Sequence, residues 1–149
     1  MIKFLFLLIT CFSITTDSIQ LFETEKDFEI VGKWKAEDET GFVYFTFDND
    51  GYVIMETNET TIGGKKFQQA DREFSLKYSV DYTTAPINLD LIFTELKSGR
   101  QMNWLFIMKV NSQNEMVLAR GMNGERPKDF VGLDYQIFKR VENQSSNKR

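Results

Sequence analysis

The chain has 149 residues, with 18 basic and 22 acidic side chains and a formal net charge of −4. This length suits one domain with a buried core, and the mixed, mildly acidic charge does not suit a general nucleic-acid binder. The sequence has no His and one Cys, which excludes imidazole-dependent hydrolysis, His-based zinc sites and an internal disulfide.

The N-terminus has the order of features that is typical of a secretory signal. Lys3 precedes an apolar run, Phe4–Ile9. Small residues that suit cleavage of a signal peptide follow between this run and Ser18. The run is shorter than the roughly 20 residues that a stable membrane span requires. We therefore predict a signal peptide over residues 1–18. The alternative is a buried first helix or strand.

Cys11 allows a second reading of the same segment. Leu8-Ile9-Thr10-Cys11 resembles a bacterial lipoprotein box, in which the Cys is acylated and becomes the new N-terminus. The alternative is an ordinary apolar Cys within a discarded signal. Either reading predicts an exported protein, which is periplasmic, anchored to the outer membrane or secreted. Any contact with a membrane would then be made through the signal or the lipid.

The body of the chain alternates mostly with a period of two, which indicates β-strands. Asp48-Asn49-Asp50-Gly51 and Lys97-Ser98-Gly99-Arg100 supply hairpin turns. The glycines Gly63 and Gly64 predict a bulge or bend within a strand. The predicted strands begin at Val31-Gly32-Lys33-Trp34 and continue with Phe42–Phe47, Tyr52–Thr57, Ile62–Phe67, Phe74–Val80, Ile87–Thr94, Met102–Val110, Met116–Arg120 and Leu133–Val141.

Eight or nine short strands without a long helical stretch predict an all-β sandwich or barrel. Successive hairpins without long crossovers favour an antiparallel up-and-down β-barrel, which also removes exposed sheet edges. We assign residues 19–141 to this barrel. Residues 142–149 form a polar tail that we expect to be disordered.

The two ends of the barrel segment resemble the lipocalin and calycin barrels. Gly32-Lys33-Trp34 opens the first strand, and Lys139-Arg140 closes the last. In that superfamily the Trp of the first strand plugs the closed end, and a basic residue of the last strand packs over its ring. The resemblance therefore implies that Trp34 is the plug and Arg140 its cover.

Further motifs resemble the bacterial lipocalin-like domain family of small exported proteins, over about residues 30–141. They occur in the same order along the chain: Gly-x-Trp-Lys at Gly32–Lys35, the hairpin Phe45–Gly51, the strand Ala85–Asp90 and the element Glu125-Arg126-Pro127-x-x-Phe130. The resemblance implies a lipocalin-like barrel.

Bulky side chains on the central strands can fill such a barrel or line a cavity. Eight strands enclose an interior that either packs solid or holds one small ligand. Trp104 is expected to border the open half, because the other Trp is assigned to the closed end. The candidate cavity-lining residues are Tyr78, Leu91, Phe93, Trp104, Phe106 and Met108.

The loop before the last strand carries Glu125, Arg126 and Asp129. These residues could form a polar site at a barrel mouth, but an ion pair that pins the loop is the simpler expectation. The sequence shows no catalytic acid pair, no metal-ligand cluster and no phosphate-binding loop, so we predict no catalytic residue, metal or cofactor.

Two hypotheses of function remain, together with a third and weaker one. The first is an exported, non-enzymatic barrel that binds a small apolar or amphipathic molecule. The second is a structural or protein-interaction module of the envelope, with a filled barrel. An enzyme is the weakest, although Asp, Glu, Lys and Tyr side chains can serve as acids and bases. A cavity of about 300 Å³ or more favours the first, and a packed interior with an exposed apolar patch favours the second.

Overall fold

The computed structural model describes residues 27–39 and 41–142. The predicted signal peptide (residues 1–18), Cys11 and the tail from residue 143 onward lie outside the described residues. The described part forms nine strands: β1 (Gly32–Asp38), β2 (Gly41–Phe47), β3 (Val53–Thr57), β4 (Thr61–Gln69), β5 (Arg72–Asp81), β6 (Ile87–Glu95), β7 (Gln101–Ser112), β8 (Glu115–Arg120) and β9 (Tyr135–Arg140).

The strands form one closed antiparallel barrel in which chain order and spatial order are the same. This confirms the predicted all-β, up-and-down barrel of eight or nine strands. The cause is visible in β6, where Ile87, Leu89, Leu91 and Phe93 are buried and the residues between them are partly exposed. Side chains alternate between the two faces of a strand, so this pattern fixes which face is inside.

The bend that the paired glycines predict lies in β4. Its first residues pair with β3, and a register shift between Gly64 and Phe67 precedes the rest of its pairing with β5. Gly63 has φ +120°, and a Cβ there would lie 2.2 Å from the carbonyl oxygen of Val53, so only glycine fits.

This bend also explains how an antiparallel barrel with an odd number of strands can close. A closed ring in which every strand is antiparallel to both neighbours needs an even number, and this barrel has nine. Beside the bend, Tyr52, the residue directly before β3, forms an antiparallel bridge with Lys77 of β5. The two strands that flank β4 therefore run in opposite directions at this corner, and the ring closes.

The ladder between β1 and β9 is short. It contains two residue pairs, Trp34 with Arg140 and Lys35 with Lys139. By contrast, β9 pairs with β8 along five residues, from Ala119–Tyr135 to Glu115–Lys139. The ladder ends at the pair Lys35–Lys139, and we refer to the wall between β1 and β9 beyond this pair as the cleft.

The outer face of β7 and β8 is covered by the loop before β9. Ile107 and Ala119 point outward as cross-strand partners, yet each is only 1% exposed. From this loop, Arg126 donates a 2.6 Å hydrogen bond to the carbonyl oxygen of Phe106 and forms an ion pair with Asp90 of β6.

This arrangement corrects the expected ion pair within the loop. Arg126 pairs with Asp90 and with neither Glu125 nor Asp129 among the salt bridges of the described residues. Asp129 instead accepts a 2.9 Å hydrogen bond from the backbone N–H of Val131, which stabilises a local turn. The loop is pinned, but to the wall of the barrel, because Asp90 presents a partly buried carboxylate there.

Candidate functional site

One end of the barrel is sealed around Trp34. This side chain is fully buried, packs against Phe28 at a centroid distance of 5.6 Å, and donates a 2.7 Å hydrogen bond from Nε1 to the carbonyl oxygen of Ile30. Arg140 lies over the indole, with Cζ 4.2 Å from the ring centroid. The Arg140 guanidinium and Phe28 thus enclose the Trp34 indole at this end of the barrel.

Arg140 also ties the sealed end to the segment that precedes β1. Its guanidinium donates hydrogen bonds of 2.7 Å to the carbonyl oxygen of Val31 and 2.6 Å to that of Glu29. A Cβ on Gly32 would lie 2.7 Å from Arg140 Nη1. The glycine two residues before Trp34 therefore leaves the space in which the guanidinium reaches these carbonyls.

The opposite end of the barrel opens into a cavity of about 550 Å³. Its outer part is formed where β1, β2 and β3 end or begin, with Asp38, Gly41 and Asn58 among the lining residues. Its deep part is apolar and aromatic. The deep residues are Phe45, Met55, Phe106, Leu118 and Phe138.

The deep wall is a set of packed aromatic rings. Phe45 stacks on Phe138 with a centroid distance of 5.2 Å, and it meets the edge of Phe106 at 6.5 Å. These rings belong to β2, β7 and β9, so they join strands from distant parts of the chain. They separate the cavity from the sealed end, and they offer an apolar surface to a ligand.

The mouth combines charge with one aromatic ring. Arg120, at the end of β8, lies over the Trp104 ring with Cζ 4.2 Å from its centroid, and both residues line the cavity. Three carboxylates, those of Asp38, Glu59 and Asp134, also line it. No salt bridge joins Arg120 to another residue in the described part of the chain.

The cleft between β1 and β9 extends the mouth sideways. Asp38 ends β1, Asp134 directly precedes β9, Gln136 lies near the start of β9, and all three line the cavity. These residues lie beyond the point at which the two-pair ladder ends. The lining of the cavity therefore includes residues on both sides of this cleft.

Two of the six residues that the sequence suggests as cavity lining, Trp104 and Phe106, line this cavity. Leu91 and Met108 are fully buried in the core. Phe93 packs against Trp104 at 4.7 Å and borders a separate crevice of about 340 Å³ near the β6–β7 turn. The sequence analysis did not identify the contributions of β2, β3, β8 and β9.

Tyr78 lies at the sealed end. Its hydroxyl donates a 2.8 Å hydrogen bond to the carbonyl oxygen of Asp48, and its ring meets the edge of Phe47 at 4.9 Å. Burial raises the pKa of the Tyr78 hydroxyl, and the nearby carboxylates of Asp48 and Glu29 raise it further. The geometry gives this residue a structural hydrogen bond within a crevice of about 420 Å³.

Among residues 27–39 and 41–142, no group of three or more Cys, Asp or Glu side chains is arranged to hold a metal ion. The same part of the chain contains no helix long and apolar enough to cross a membrane.

What the described fold defines is a class of structure, a β-barrel with one sealed end and one open cavity. Comparison with protein-family models, curated proteins and solved structures finds no match to this chain.

Proposed function

We propose that this protein is an exported, non-enzymatic, lipocalin-like barrel that binds a small apolar or amphipathic molecule in the cavity at its open end. The observation that carries the proposal is the cavity itself. Its volume of about 550 Å³ lies within the range of about 300–1,000 Å³ that is usual for small-molecule sites.

The chemistry of the walls supports an apolar ligand or an apolar tail. Phe45, Phe106 and Phe138 present ring surfaces, and Met55 and Leu118 add flexible and branched aliphatic surface. Burying roughly 200 Å² of ligand at about 25 cal/mol/Å² contributes roughly 5 kcal/mol before the costs of association. We therefore expect affinities no tighter than micromolar.

The lining favours binding over catalysis. The described lining residues include no Lys, Cys, Ser or Tyr, and their one hydroxyl is that of Thr57. A nucleophile requires an adjacent base for activation. The Thr57 hydroxyl is instead engaged in a local turn: it donates a 3.3 Å hydrogen bond to the carbonyl oxygen of Thr60 and accepts from the backbone N–H groups of Glu59 and Thr60.

Export is the second part of the proposal, and it is supported by Lys3 and the apolar run that follows it. Mass spectrometry of the mature protein tests it. An N-terminus near Ser18, or at an acylated Cys11, is expected. Full-length chain in the cytosol would contradict export.

The cavity is tested by filling it. Val43→Trp adds bulk to a lining position on β2, and Thr46→Trp adds the same side chain to the outer face of that strand. By isothermal titration with 1-decanol, we expect one site in the wild type, unchanged affinity in Thr46→Trp and at least a tenfold loss in Val43→Trp.

An alternative function has its own observation. Tyr135, Ile137 and Val131 are 55%, 45% and 84% exposed on the outside of β9 and its preceding loop. Exposed apolar surface of this kind suits a protein partner. If 1-decanol and related alkyl ligands all fail to bind a correctly folded wild type, the interaction module replaces the binding protein as the better account.

A further inference from the structure

We propose that the ligand is an amphipathic monoanion, a single alkyl chain with a carboxylate, whose head group pairs with Arg120 at the cavity mouth. This inference rests on the proposed function and names the ligand class for the same cavity. It follows from the position of one guanidinium, from its contacts and from the charges around it.

Arg120 points into the barrel. On β8, Met116 and Leu118 are buried in the barrel core, and Arg120 follows at the same two-residue interval. It is exposed and is the one cationic side chain among the described residues that line the cavity. A positive charge therefore stands directly above an apolar pocket, which is the arrangement that a fatty-acid-like molecule matches.

The contact with Trp104 positions the Arg120 guanidinium at the cavity mouth. Its Cζ lies 4.2 Å from the ring centroid, over the indole. Stacking uses the face of the guanidinium and leaves the N–H groups along its edge available to a carboxylate. Because Arg120 forms no salt bridge with a described residue, a ligand carboxylate would add a partner without displacing one.

The carboxylates at the mouth limit the charge of the head group. Asp134 lies opposite Arg120 in the continued register of β8 and β9, and Asp38 and Glu59 lie at other strand ends. A singly charged carboxylate can form a charged hydrogen bond with Arg120, and this contact offsets its repulsion by the three lining carboxylates. Because the lining sets one positive charge against three negative ones, the second charge of a dianionic phosphate would add net repulsion at the mouth.

The test compares three ligands with the same chain length and different head groups: decanoate, 1-decanol and decyltrimethylammonium. Each is titrated calorimetrically at pH 8 into wild type, Arg120→Gln and Lys109→Gln. Lys109 is an exposed cation on β7, next to the buried, inward-facing Met108, so its replacement removes the same charge from the outer face.

In wild type we expect decanoate to bind more tightly than 1-decanol, and decyltrimethylammonium more weakly than either. Arg120→Gln should weaken decanoate roughly tenfold or more, the usual effect of losing a charged hydrogen bond, and leave 1-decanol within about twofold. Lys109→Gln should change neither by more than about twofold. Arg120→Lys should restore part of the decanoate affinity, because it keeps the charge without the planar edge.

Different outcomes contradict the proposed binding function and the assignment of a carboxylate ligand. If no alkyl ligand binds, including 1-decanol, the proposed function fails. A different outcome overturns only the assignment of a carboxylate ligand. This is the case if 1-decanol binds but decanoate has the same affinity for wild type and for Arg120→Gln, or if decyltrimethylammonium binds most tightly.

Discussion

At the scale of the residue, the same pair of side chains occurs at both ends of the barrel with different surroundings. Trp34 is fully buried beneath Arg140, whose guanidinium is engaged by backbone carbonyls of the preceding segment. Trp104 is partly exposed beneath Arg120, which forms no salt bridge with a described residue. The guanidinium of Arg140 is thus occupied by contacts within the protein, whereas the guanidinium of Arg120 can still form an ion pair.

This difference predicts unequal effects on stability. Trp34→Ala should lower the free energy of unfolding by about 3–5 kcal/mol, because it leaves a large cavity in a packed core. Arg140→Ala should cost about 1–3 kcal/mol, from the cation–π contact and the carbonyl hydrogen bonds. Trp104→Ala should cost less than Trp34→Ala. Urea denaturation measures all three, and near-zero effects for both Trp34→Ala and Arg140→Ala would refute the sealed end.

Which residues form the site could be predicted only in part, and the reason is geometric. Trp104 and Phe106 were identifiable because alternation along β7 places them inside. Phe45, Leu118 and Phe138 are equally apolar and alternate equally well, but the stagger between strands decides which inward residues lie at the depth of the cavity. The partner of Arg126 was unpredictable for a similar reason, since Asp90 lies 36 residues earlier in the chain.

At the scale of the strand, the wall of the barrel is weakest between β1 and β9. The backbone N–H of Val141 donates a 2.7 Å hydrogen bond to the carbonyl oxygen of Lys33, and Lys35 pairs with Lys139 two residues farther along. The next pair of this kind would be Glu37 with Ile137, and the ladder ends before it. Strand boundaries followed well from local alternation and turns, whereas the length of this ladder depends on contacts between the two ends of the barrel segment.

The open ladder predicts a local pattern of hydrogen exchange. Backbone groups of one residue point to the same side of a strand, so the amides of Glu37 and Ile137 face the cleft without a ladder partner. We expect them to exchange much faster than the amides of Lys35 and Lys139, which lie within the ladder. Amide exchange followed by NMR measures this difference. Equal, strong protection at all four positions would show that the wall is closed there.

At the scale of the whole molecule, the barrel has one sealed end and one end with an open cavity. Within residues 27–39 and 41–142, closure of the barrel leaves no long free sheet edge apart from the cleft, and Phe45, Phe106 and Phe138 form an aromatic cluster in the interior. The architecture followed from the sequence because turns and alternation recur along the whole body. The existence and size of the cavity did not, since a filled and a hollow barrel have the same alternation.

The central claim is that the cavity at the open end binds a small molecule, and the chain's two Trp residues provide the most direct measurement. Their indole N–H signals in an NMR spectrum, assigned with Trp34→Phe and Trp104→Phe, report separately on the sealed end and the cavity. On titration with decanoate, the account predicts a saturable shift of the Trp104 signal and an unchanged Trp34 signal. A shift confined to Trp34, or no shift of either signal at millimolar decanoate, would contradict it.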